Sequence, residues 1–117
     1  MFIGNYFKNL NSKHKNHFFS GLSFNSLTCK KDNIFFAIRG TKINGNKFIK
    51  NAIKNGARTI VSELNYQGFK NKILYINSKN VRKTLSYVGS KVVISKFFLY
   101  NFDFIPKVPI DADNFLF

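Results

Sequence analysis

The feature that most limits the fold is a switch of hydrophobic period between residues 34 and 64. "IFFAI" (34–38) is a continuous apolar run of strand length, bounded by Asn33 and by Arg39-Gly40. A run with no polar face suits a strand covered on both sides, as in a sheet flanked by helices. After the loop "RGTKINGN" (39–46) the period changes. Phe48, Ile49, Ala52 and Ile53 fall at i, i+1, i+4 and i+5, with Lys47, Lys50, Asn51, Lys54 and Asn55 between them. That is helical spacing. "RTIVSEL" (58–64) then returns to a short β-branched run. Strand, helix and strand with short joints call for a right-handed crossover and parallel pairing of the two strands.

Punctuation along the chain supports this reading. Asn44-Gly45 alone would suit a hairpin turn, but the helical spacing after it overrides that. Asn44 or Asn46 can cap the first turn by accepting a free backbone N–H. Gly56 suits the left-handed position just past the helix end. Burial of Phe48, Ile49 and Ile53 contributes about 1.5–3 kcal/mol each. That holds a helix of about three turns, which would be marginal alone.

The remaining elements follow the same rules. "GLSFNSLT" (21–28) reads as a strand entering a polar turn, and "CKKDN" (29–33) as that turn. "NYQGFKN" (65–71) reads as a connecting loop and "KILYIN" (72–77) as a strand. "SKNVRKTLSYVGSKVV" (78–93) has Val81, Leu85 and Val88 in helical register, with Ser78 as N-cap. Residues 1–19 form a leading segment with a short helix over 5–15 that places Tyr6, Phe7 and Leu10 on one side. Residues 94–117 are Phe-rich, hold two prolines and read as an irregular tail, truncated or out of frame. The expected fold class is therefore α/β: one small domain, a short mixed or parallel sheet flanked by helices in the order β-β-α-β-β-α.

At 117 residues the chain has room for one core, not for separate nucleotide and substrate domains. Its formal charge of +14 suits an anionic partner: nucleic acid, lipid headgroup or ligand. The charge is scattered, and Lys is enriched together with Asn, Ile and Phe, as AT-rich coding imposes. A nucleic-acid module normally clusters its cations and exposes its aromatics, whereas Phe36 and Phe48 sit at core positions. Cys29 is the single cysteine, so no disulfide framework or thiol metal cluster is expected, in keeping with a reducing cytoplasm. His14 and His17, three apart, lack further ligands for a metal. No apolar run reaches membrane-spanning length, and no signal peptide is expected.

"GLSFNSLTCKKDNIFFAIRGTKINGNKFIKNAIKNGARTIVSE" resembles the Mur ligases over roughly residues 20–93. That family shows a strand ending in Asp-Ser-Arg, a Pro-Gly-Asp turn, an apolar strand closing in A-x-x-G, and D-G-x-x-F-I-x-x-A-x-x-x-G-A. The equivalents here are "NSL" (25–27), "KDN" (31–33), "IFFAIRG" (34–40) and "NGNKFIKNAIKNGA" (44–57). Asn25 and Leu27 replace the usual Asp and Arg, and Lys31 and Asp32 the usual turn Pro and Gly. Gly45 brings the likeness nearer to MurE, the ligases adding the third peptide residue, than to MurF.

The resemblance implies an N-terminal domain that holds the UDP end of UDP-N-acetylmuramoyl-L-alanyl-D-glutamate. By that resemblance, Phe24 and Ser26 form the first contact region, and Thr41, Lys42 and Ile43 the second. Phe24 packs on uracil, Ser26 bonds a ribose or phosphate oxygen, and Lys42 meets the diphosphate. ATP and magnesium are implied for the full-length family. The chain has no G-x-x-x-x-G-K-[ST] loop and no evident catalytic or metal-binding set. It reads as a fragment, inactive alone, whose partners are the missing ligase domains. Two other readings stay open: a small basic nucleic-acid-binding module, and a pseudogene product without activity.

Overall fold

Side chains of β2 (Asn33–Phe36) alternate between two cores, and that alternation organises the molecule. Ile34 and Phe36 face one core and Phe35 faces the other, all of them buried. β3 (Thr59–Ser62) and β5 (Ile73–Asn77) alternate the same way. Val61, Leu74 and Ile76 join the first core, Ile60 and Ile73 the second. The computed structural model describes residues 1–8, 10–38 and 45–100.

The sheet has five strands in the order β1-β2-β3-β5-β4, with β1 at Gly21–Ser23 and β4 at Gly68–Lys70. β1, β2, β3 and β5 are parallel, and β4 is antiparallel to β5. The crossover between β2 and β3 is α1 (Ile49–Lys54), preceded by a 3-10 turn at Gly45–Phe48. α1 buries Ile49 and Ala52 against the second core. α2 (Val81–Tyr100) covers the opposite face with Val81, Val88 and Val92. Among the described residues no helix is long and apolar enough to cross a membrane.

The expected α/β class, with helices on both faces of a small sheet, is the observed one. Several details differ, among them α1, which has six α-helical residues after a 3-10 turn where about three helical turns were expected. Residues 65–71 are not all loop, because Gly68–Lys70 form an edge strand. A two-residue turn closes that hairpin: Asn71 and Lys72 have φ of 52° and 68°, the left-handed pair that a type I′ turn needs. The order is thus β-β-α-β-β-β-α. α2 also runs seven residues past position 93, to Tyr100. No proline interrupts it before Pro106, and Tyr6 Oη donates to Ser95 Oγ at 3.1 Å.

The cap of α2 is Asn80, not Ser78: Asn80 Oδ1 accepts from the Lys83 N–H at 3.0 Å. Finally, two 3-10 turns, Ile3–Asn5 and Ser12–His14, replace the helix expected over 5–15. The Ile3 N–H donates to the His17 carbonyl (2.8 Å) and Gly4 N–H to the Lys15 carbonyl (2.9 Å). Those bonds between the two ends of the segment close it into a loop that a continuous helix cannot follow. Ile3, Tyr6, Phe7, Leu10 and Phe19 all enter the first core.

The far end of α1 is locked to the turn before β2. Gly56 has φ of +120°, and its carbonyl accepts from Asp32 N–H at 2.8 Å. A Cβ there would lie 2.7 Å from Lys31 Cα. Gly56→Ala therefore suffers both an unfavourable φ and a backbone clash. It is expected to lower stability by about 2 kcal/mol or more in urea unfolding; an unchanged midpoint would disprove this lock.

Candidate functional site: a cationic cleft beside the edge strand

Parallel β1 and β2 place Ser23 opposite Phe35, so both strands end at the same edge of the sheet. Phe24 follows the carboxyl end of β1, whereas Lys30 and Lys31 precede the amino end of β2. β1 is also outermost, and a cleft of about 790 Å³ opens against it. Its walls come from Ser20 and β1, from Phe24, Asn25 and Thr28, from Lys30, Lys31 and Asn33, and from Lys96 on α2. Lys30, Lys31 and Lys96 thus face a common space that no acidic residue among these lining groups shares.

Local hydrogen bonds hold the walls. Ser20 Oγ donates to the Lys31 carbonyl at 2.6 Å and lies 3.1 Å from Asn33 Oδ1. Ser23 Oγ donates to the Asn25 carbonyl at 2.8 Å, and Asn25 Oδ1 accepts from Leu27 N–H at 2.9 Å. Between these anchors Phe24 stands 68% exposed. A large apolar ring left open beside lysines offers a flat surface for a planar group and charges for an anion.

Of the residues expected at the site, Phe24 lines the cleft. Ser26 is buried and does not line it; its carbonyl accepts from Asn55 Nδ2 at 2.7 Å. Asn55 is the C-terminal cap of α1, so Ser26 is tied to the end of that helix and not to its start. Thr41, Lys42 and Ile43 lie outside the described residues. Lys30, Lys31 and Lys96 were not among the expected contacts. The adjacent pair at a turn was a visible signal for two of them. Lys96 was hidden because its position depends on α2 continuing beyond residue 93.

Two other groups have structural roles. Cys29 is buried, and burial raises its thiol pKa against the smaller lowering effects of the Ser23 hydroxyl and the Lys30 backbone. A protonated, covered thiol is a poor nucleophile. His14 and His17 pack edge-on against Phe69, with ring centroids 5.1 and 5.3 Å away. Among the described residues no group of three His, Cys, Asp or Glu could hold a metal.

A family model described as "Mur ligase family, catalytic domain" matches residues 19–93. This chain belongs to the Mur ligase family. It is 43% identical over 77 residues to the UDP-N-acetylmuramoyl-L-alanyl-D-glutamate--2,6-diaminopimelate ligase of Rickettsia prowazekii, which covers 66% of the chain and 16% of that protein. The ligase of the same name from Clostridium tetani is 40% identical over 74 residues, 59% of this chain and 15% of that one. The chain thus spans about a sixth of the length of these Mur ligases. In fold it is similar to the MurF ligase of Thermotoga maritima, solved with ADP. The TM-score is 0.51 at 23% identity, over 63% of this chain and 17% of that structure.

His17 makes the Mur ligase chain's stability depend on pH. Burial lowers its pKa below the ordinary 6.5, outweighing the raising effect of the Arg58 carbonyl, which lies 3.2 Å from Nε2. As pH falls through 6.5, the unfolded chain takes up the proton before the folded one does, so stability drops. Urea midpoints are expected to fall between pH 7 and pH 5, and His17→Gln to remove part of that slope. An identical slope in both proteins would refute the assignment.

Proposed function

We propose that this chain holds the uridine diphosphate end of UDP-N-acetylmuramoyl-L-alanyl-D-glutamate for an ATP-dependent ligase of peptidoglycan synthesis in the cytoplasm. The observation that carries the reading is the cleft of Lys30, Lys31 and Lys96 beside the open ring of Phe24, along the outer flank of the edge strand β1. Uracil packs on Phe24, and the lysines meet the diphosphate. Charge-assisted contacts to phosphate oxygens are the stronger class of hydrogen bond, and lysine serves there as a point charge. Thr41, Lys42 and Ile43 supply the second contact region by family resemblance. In the curated relatives the amino acid named is 2,6-diaminopimelate, and we assign the same amino acid to the complete ligase.

ATP and magnesium do not fit the described residues of this chain. It has no G-x-x-x-x-G-K-[ST] loop to cradle phosphates. Its described residues offer no carboxylate or histidine group for the ion. The role proposed here is therefore to bind and orient, with the energy-supplying step carried by other ligase domains. A nucleic-acid surface is less well supported: of the exposed aromatics among the described residues, Phe2 and Phe18 pack on each other, Phe69 on His14 and His17, and Tyr66 on Tyr75, so they form no shared stacking face with Phe24.

Calorimetric titration of the chain with UDP-N-acetylmuramoyl-L-alanyl-D-glutamate should show saturable one-to-one binding. Lys31→Glu, Lys96→Glu and Lys42→Glu are each expected to weaken it by about tenfold or more, and Phe24→Ala to weaken uridine diphosphate itself. A sample that unfolds cooperatively yet gives no saturable heat would overturn the reading.

A further inference from the structure

Beside the cationic cleft lies a second, apolar groove of about 730 Å³. Leu22 and Phe24 form one wall, and Leu85, Gly89, Val93 and Ile94 of α2 contribute to the other. Phe24 and Val93 are 68% and 66% exposed. The floor is open at Gly89, where an added Cβ would meet nothing within 4 Å. Leu22 and Phe24 are shared with the cleft, and Lys96, just beyond Ile94 on α2, lines the cleft as well. An apolar trough thus runs into a basic one.

We propose that residues 101–117 of this same chain dock here, with phenylalanines in the groove and aspartates against the lysines of the cleft. Position favours this occupant. The segment continues directly from Tyr100, the last residue of α2, and Ile94 lies about 9 Å back along the helix. Reach is ample: the segment extends to about 55 Å, against about 14 Å of helix between Leu85 and Ile94.

Chemistry matches at both ends of the trough. "NFDFIPKVPIDADNFLF" (101–117) offers Phe102, Phe104 and Ile105 as apolar anchors. It holds Asp103, Asp111 and Asp113 against one lysine, while the rest of the chain has only Asp32 and Glu63 as acids. In a chain of net charge +14 this is the acidic complement to the basic cleft. Pro106 and Pro109 lack the backbone N–H that a helix interior needs. The proposal does not rest on the nucleotide reading and is tested without nucleotide.

Hydrogen–deuterium exchange of the full chain, read by mass spectrometry over residues 101–117 at two protein concentrations, tests it. Exchange is expected to be at least about tenfold slower than in a synthetic peptide of that sequence, at both concentrations. Gly89→Phe fills the groove from within and should restore peptide-like exchange. Phe102→Ser combined with Phe104→Ser should do the same from the other side, and serves if the first variant fails to fold. Peptide-like exchange in the unmodified chain overturns the proposal, as does undiminished protection in the folded tail variant. Protection that appears only at the higher concentration assigns the groove to a second copy and also overturns it.

Discussion

Burial of β2 on both faces is the constraint on which the rest of the structure depends. Each of its four residues is buried, so the strand needs cover on two sides at once. α1 supplies one cover, and α2 with residues 1–19 supplies the other. Ile34, Phe35 and Phe36 are nearly inaccessible, and each contributes about 1.5–3 kcal/mol on burial. Parallel pairing follows from the same demand, because the covering helix α1 must return the chain to the start of the next strand.

That arrangement also decides where a ligand can sit. β2, β3 and β5 have neighbours on both sides, but β1 ends the sheet and leaves its outer flank open. The chain after β1 passes through the turn at Lys30 and Lys31 before entering β2. The open flank therefore collects cations from that turn and from α2. The residues around the edge strand are thus the accessible ones, while the buried strands act as scaffold. The buried Cys29 and the histidines packed on Phe69 belong to that scaffold.

Much of this was legible in the residues. The apolar run 34–38, the helical spacing of 48–53 and the β-branched run 58–64 foretold a parallel crossover, and Ile34 pairs with Thr59 in it. Gly56 was legible too, because only a residue tolerating positive φ ends α1 there. The edge strand at Gly68–Lys70 was not. Its turn uses Asn71-Lys72 where Asn-Gly would have announced a hairpin. Family resemblance singled out Phe24, which lines the cleft. Ser26 was expected beside it, yet its backbone is held under the end of α1 by Asn55.

Sequence by itself determined the alternation of strand and helix, the family and the cationic balance, because these depend on local period and on residue type. Tertiary structure alone decided that residues 1–19 close into a loop under α2 and that α2 runs to Tyr100. It also decided that Lys30, Lys31 and Lys96 share one cleft. The reason is physical: a lysine sixty-five residues from another carries no local signal of their meeting. Only the packing of α2 across the sheet brings the two together.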